Sequence, residues 1–210
     1  ITLQSDVKGL TQISNLTDNV FEILNASKPE KIFTCGGDCS SDYAQLSYLN
    51  AQYDGDFALL WIDAHADLNT PESSPSKNFH GMTLRCLTGD GPEAMTDKIR
   101  KALTPEQITF SSLRSIDPEE AHYLEAHNIR QFSAEETTHG ALKDADFNAQ
   151  NLYIHVDIDC LDQSVFSDCA TPTSGGLQLG TLVETLNALM GKHNVIGGCL
   201  TEYGPKSENA

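Results

Sequence analysis

The chain lacks any run approaching the roughly 20 consecutive apolar residues that carry a helix across a bilayer. It is also poor in basic residues: 13 Lys and Arg stand against 30 Asp and Glu, a formal charge of −17. A surface of that sign repels phosphate backbones and anionic lipid, which argues against nucleic acid or a membrane surface as partner, and it attracts cations. No Cys-x-x-Cys pair occurs. The six cysteines, Cys35, Cys39, Cys86, Cys160, Cys169 and Cys199, are scattered, several within apolar runs where a thiol behaves as a small hydrophobe. That usage reads as a reduced, cytoplasmic chain rather than a disulfide framework. No basic-plus-apolar leader is seen, and because the sequence begins at Ile1 a native start is expected upstream. Internal repeats, low-complexity tracts and Pro/Ser-rich linkers are absent too, so residues 1–210 are expected to form one domain.

What is present is an alternation. Short β-branched runs are strand candidates at Lys31–Cys35, Phe57–Ile62, Gln107–Phe110, Ile129–Phe132, Leu152–Asp157 and Asn194–Cys199. Helix candidates are Gly9–Leu24, Asp42–Ala51, Pro92–Ala102, Pro118–Ala126 and Gln178–Gly191. The helix start at Asp117 is the clearest boundary: a capping residue, Pro in the first turn, then Glu119 and Glu120 on the positive end of the dipole. The order predicts an α/β fold, a mainly parallel sheet covered by helices on both faces. Acid- and His-rich segments begin where strand candidates end, at residues 36–40, 63–67 and 157–162. Ligands of open α/β sheets bind beyond the carboxyl ends of the strands, so these segments should meet on one rim.

The strongest signal is Asp63-Ala64-His65-Ala66-Asp67, directly after an apolar run. In extended chain alternate residues point the same way, so three ligand-type side chains face one point while the alanines leave room. Burying such a trio is costly unless a cation neutralises it. The second is His155-Val156-Asp157-Ile158-Asp159-Cys160-Leu161-Asp162. Asp157 and Asp159 are expected on one face, Val156 and Ile158 on the other. Carboxylates and imidazole without paired thiolates suit Mn²⁺ better than a structural Zn²⁺ site, and five or more ligands suit two ions.

Together these segments resemble the arginase (ureohydrolase) superfamily over nearly the whole chain. Two signatures, Asp-Ala-His-Ala-Asp and Asp-Ile-Asp-x-x-Asp, are intact, and a third, Gly-Gly-Asp-His-Ser, stands here as Gly36-Gly37-Asp38-Cys39-Ser40. The resemblance implies a three-layer α/β/α domain, a homo-oligomer, and two Mn²⁺ ions at Asp63, His65, Asp67, Asp157 and Asp159. It implies hydrolysis of a guanidino amino acid, arginine giving ornithine and urea. Asp159 would take up the proton of the attacking water, His80 would ferry one to the departing amine, and Glu202 would pair with the guanidinium. Asn69, Ser76 and Asn78 fall where arginases hold the substrate α-carboxylate, Asp117 where they meet the α-amino group, and Thr171 matches a nearby threonine. N-hydroxyarginine and formiminoglutamate are the alternatives within the family.

Three features depart from the family. Cys39 replaces the His that would bind the more exposed ion; it is expected at the rim, holding that ion weakly. It also keeps open a non-catalytic, metal- or ligand-binding relative. Gln163 replaces a Pro and Gly204 an Asn, both tolerable. Family members also continue past the segment matching Glu202–Pro205, so a further helix is expected beyond Ala210.

Overall fold

The structure is a computed structural model describing residues 6–205. Strand periodicity sorts its core into two layers of side chains. Along β2 (Ala58–Ile62), Leu59 and Trp61 pack into one apolar cluster while Ala58, Leu60 and Ile62 pack into another on the opposite face. All five residues of β2 are buried, the signature of a strand covered on both sides. The first cluster seats α1 (Leu10–Ser27), α2 (Tyr43–Gln52) and α5 (Pro118–Ala126); the second seats α7 (Leu179–Lys192).

The other strands are β1 (Ile32–Cys35), β3 (Ile108–Ser111), β4 (Arg130–Phe132), β5 (Asn151–Asp157) and β6 (Asn194–Thr201). All six pair in parallel in the order β1-β6-β5-β2-β3-β4. The fold is the expected three-layer α/β/α sandwich. The chain runs outward from β2 to β4, then returns to β5 on the other side of β2. That reversal opens a crevice beyond the carboxyl ends of β2 and β5, where ligands of such sheets bind.

Each expected strand is found within two residues of its sequence bounds, and α5 at its expected bounds. Pro92–Ala102 is the exception: only Glu93–Thr96 (α4) is helical. The rest of that segment bonds to neighbours instead of to itself. Arg100 N donates to Ser47 Oγ, and Asn50 Nδ2 of α2 takes the carbonyls of Lys101 and Ala102. Two short helices without a long apolar period, α3 (Thr83–Leu87) and α6 (Ala134–Thr138), were not anticipated. For α6 the signal existed: Ser133 Oγ accepts from Glu136 N while Glu136 Oε2 accepts from Ser133 N, a capping box.

Candidate metal centre

Four elements deliver the polar residues to one end of the sheet: the turns after β1 and β2, the end of β5, and the end of β6. After β1 the chain turns through Gly36, where an added Cβ would come 2.5 Å from that of Ser41. Asp38 then caps a short 3₁₀ turn, Cys39–Asp42, by accepting from Ser40 N at 2.9 Å. After β2, Asp63 Oδ1 accepts from His65 N at 2.7 Å, and Asp67 adopts a left-handed backbone, φ 52°. At the end of β5, Asp157 Oδ1 accepts from Asp159 N at 2.8 Å and caps a second 3₁₀ turn, Ile158–Cys160.

These geometries correct one expectation. The Asp63–Asp67 segment and the residues after Asp157, where β5 ends, are not extended, so strand alternation does not carry through either segment. Each strand has ended, and the leading Asp folds the chain back by binding the amide two residues on. The two segments are then cross-linked. Asp159 Oδ1 accepts from Ala64 N at 3.2 Å, and Asp159 Oδ2 lies 3.1 Å from His65 Nδ1 and accepts from Thr171 Oγ1 at 2.8 Å.

A cavity of about 410 Å³ opens over this cluster. Of the residues nominated from the sequence, Cys39, His65, Asp67, Asn69, Ser76, Asn78, His80, Asp117, Asp157, Thr171 and Glu202 line it; Asp63 and Asp159 lie fully buried beneath. Asn69 Nδ2 donates to Asp117 Oδ2 at 2.9 Å, tying the loop after β2 to the start of α5. Ser76 is exposed at the entrance, its hydroxyl accepting from Asn78 N at 3.1 Å. His80 Nδ1 lies 3.0 Å from Glu202 Oε1. Glu202, with φ 64°, is anchored through its amide to Gly37 O at 2.7 Å.

Cys39 is not at the rim. It is 2% exposed, whereas the His65 side chain is 28% exposed, so the Cys39 side is the inner half of the cluster. The reason is the 3₁₀ turn, which folds Cys39 back under the ends of β5 and β6. Its thiol donates to Asp157 Oδ2 at 3.3 Å.

Burial, then mutual repulsion, sets the electrostatics. Burial foremost, followed by the Asp63 charge, pushes Asp67 and Asp157 well above the usual carboxylate range, and burial raises Asp63. Burial also pushes the Cys39 thiol well up, with Asp67 and Asp157 adding to it. For Asp159 burial works upward, but the His65 ring and the Thr171 hydroxyl outweigh it and hold the carboxyl below its ordinary value. His65 loses charge stability to burial yet is pushed up to about 11 by Asp159 and Asp63. Hydrogen bonding to Glu202 raises His80 against the opposing effect of burial.

This donor set fits divalent cations. Asp67 Oδ2 is buried with no hydrogen-bond partner, an arrangement that costs free energy unless a cation meets it. Among the described residues, three sets of side chains have ligand atoms within 4.8 Å of one another: Asp63, His65 and Asp159; Cys39, Asp157 and Glu202; Cys39, Asp63 and His155.

A model of the arginase family matches residues 2–210. The chain belongs to the arginase family. It is therefore a metal-dependent ureohydrolase, acting on a linear amidine C–N bond. An arginase of Staphylococcus aureus (strain COL) is 30% identical over 216 residues, covering 96% of this chain and 71% of the relative. An arginase of Entamoeba histolytica is 32% identical over 160 residues, covering 71% of this chain and 53% of that protein. The crystal structure of an Entamoeba histolytica arginase in complex with L-ornithine superposes with a TM-score of 0.89 at 25% identity, covering 98% of this chain and 74% of that one.

Some contributors escaped the sequence reading. Glu120 was read as a dipole acid on α5. It is buried, its Oε1 accepting from Leu68 N and its Oε2 from Asp117 N, each at 2.9 Å, so it joins the loop after β2 to α5. Arg114 donates to five backbone carbonyls, among them that of Asp159 at 2.6 Å. A Glu three residues after a capping Asp is a usable sequence signal; a lone Arg in a loop is not.

Proposed function

We propose that this ureohydrolase acts on a guanidino α-amino acid, converting arginine to ornithine and urea. The observation that carries the proposal is one cavity lined both by the carboxylate–imidazole cluster and by the Asn69–Asp117 pair with the Ser76–Asn78 turn. Polar groups at the entrance suit the zwitterionic end of an amino acid, and buried carboxylates suit the chemistry below. The similar Entamoeba arginase was solved holding L-ornithine, an amino acid, which supports the same class of ligand here.

Asp63, Asp67, Asp157, Asp159 and His65 would hold the divalent ions, with Mn²⁺ suited to the half formed by Asp63, His65 and Asp159. When bound, such ions supply an acidified water and a counter-charge for the developing oxyanion. Glu202 pairs with the guanidinium through charge-assisted hydrogen bonds and fixes its plane. Asp159, held ionised by its neighbours, accepts the proton that the attacking water gives up. His80, whose proton affinity Glu202 raises, gives a proton to the departing amine.

The test is product release by the metal-loaded chain: urea from arginine and agmatine, hydroxyurea from N-hydroxyarginine, and formamide from formiminoglutamate. Arginine is expected to be turned over much faster than agmatine, which has no α-carboxylate for the Asn69 loop. Equal turnover of the two would sink the amino-acid assignment, and a metal-loaded chain inert on every one of them would sink the catalytic one.

A further inference from the structure

His155 is fully buried in β5, and the chemistry above makes no use of it. Alternation along β5 puts Tyr153, His155 and Asp157 on one face, so the imidazole lies one pleat below Asp157. Its ring stacks on Trp61, its registered neighbour in β2, with centroids 3.4 Å apart and planes 3° from parallel. Its Nδ1 lies 2.9 Å from Asp42 Oδ2, and the other oxygen of Asp42 accepts from the Tyr153 hydroxyl.

A carboxylate at that distance holds the ring proton on Nδ1 and leaves Nε2 as the nitrogen with the free lone pair. Nε2 faces the Thr201 hydroxyl at 3.5 Å, the limit of a hydrogen bond, and Cys39 Sγ lies 3.8 Å from that same hydroxyl. Of the two ring nitrogens of His155, Nδ1 is firmly paired and Nε2 is not. Here the loosely paired one is directed toward the cluster. Ligand atoms of Cys39, Asp63 and His155 lie within 4.8 Å of one another, so a side-chain adjustment of about 0.5 Å brings all three to the roughly 2.0–2.3 Å bonds of one ion. A carboxylate orienting the far side of an imidazole is the usual support of a metal-binding His. Moreover Cys39 and Asp42 are the two ends of one 3₁₀ turn. The position that lacks an imidazole and the residue that orients this one are thus built together.

We infer that His155 is a metal ligand, supplying the imidazole absent at position 39, so that Cys39, His155 and Asp63 hold the inner ion. The inference rests on the metal-dependent reading of the site given above. Thiolate and imidazole together select a softer ion, Zn²⁺ or Co²⁺, over Mn²⁺. The inner and outer halves therefore differ in metal preference.

The test is titration of the metal-stripped full chain with Co²⁺, followed by its absorption spectrum. A near-ultraviolet thiolate-to-Co²⁺ band is expected with the inner ion and is lost in Cys39→Ser. His155→Asn and Asp42→Asn should each weaken that ion by about 10- to 100-fold and leave the other in place. Tyr153→Phe, which removes a bond to Asp42 but not the ring, should bind as wild type. X-ray absorption of the Zn²⁺-loaded wild type should count one sulfur and two imidazoles per pair of ions; a count of one imidazole overturns the inference without any variant. Two ions bound with no thiolate band and no effect of His155→Asn overturn it while leaving the ureohydrolase reading intact. A wild type that takes up no ion overturns both.

Discussion

Replacing Arg114 by Met should separate the scaffold of the site from its chemistry. The guanidinium donates to the carbonyls of Ser112 (2.9 Å), Asp159 (2.6 Å), Leu161 (3.2 Å), Thr173 (3.0 Å) and Ser174 (3.0 Å). Methionine keeps much of the aliphatic stem and removes every donor. The carbonyls of Thr173 and Ser174 lie on an accessible loop, so water can replace what they lose. Ser112, Asp159 and Leu161 are buried. A buried group left without its partner costs about 1–3 kcal/mol, so three of them give about 3 kcal/mol or more, a large fraction of a typical domain's ~5–15 kcal/mol. Arg114→Lys should recover little, because one ammonium cannot reach carbonyls spread around a planar fork. The assay is urea denaturation of the metal-stripped chain, which keeps ion binding out of the comparison. Urea release by the loaded variant gives a second readout, since Asp159 loses the restraint on its carbonyl. A destabilisation below about 1 kcal/mol with unchanged turnover would refute the reasoning.

Three further outcomes are expected. Glu202→Gln and His80→Asn should each lower kcat on arginine by about 100-fold or more without changing ion stoichiometry; a variant that loses only its ions would place that residue in the metal set instead. Asn69→Ala should reduce the preference for arginine over agmatine by about tenfold, one good hydrogen bond's worth, read as the ratio of kcat/KM values. Ion binding should release protons, because His65, pushed up to about 11, and the raised Asp63, Asp67 and Asp157 must give theirs up. The same three carboxyls set the sign for the metal-free chain. Their folded values lie above their unfolded ones, so their contribution is complete below about pH 4 and is lost as pH rises through the raised values. Calorimetry in buffers of different ionisation heat measures the release, and melting in chelator at increasing pH measures the stability. Proton-neutral binding, or a chelated chain that gains stability through that window from these acids, would contradict the assignment.

How much of this was legible beforehand depended on whether the governing interactions were local. Strands covered on both faces must be short apolar runs, so β2, β5 and β6 could be read from composition and length alone. Polar residues massed at the ends of those runs could be read as a site, because only the carboxyl ends of parallel strands offer them a shared crevice. The helix at Pro118 was legible for the same reason, since its cap, proline and acids lie within four residues. Other features depend on partners far away in the chain. The segment after α4 looks helical until Ser47 and Asn50, about 50 residues upstream, take its backbone groups. Cys39 looks like a rim residue until the turn it begins folds beneath the ends of β5 and β6. His155 sat in view, two residues before Asp157 in an apolar strand, where nothing nearby marks it as more than a core residue. Its stack on Trp61, its bond to Asp42 and its approach to Cys39 join three separate segments of the chain. Local periodicity therefore determined the elements and the rim on which the acids gather. Tertiary packing alone decided how deep each ligand lies and which imidazole faces the thiol, because burial and long-range hydrogen bonds have no period in the sequence.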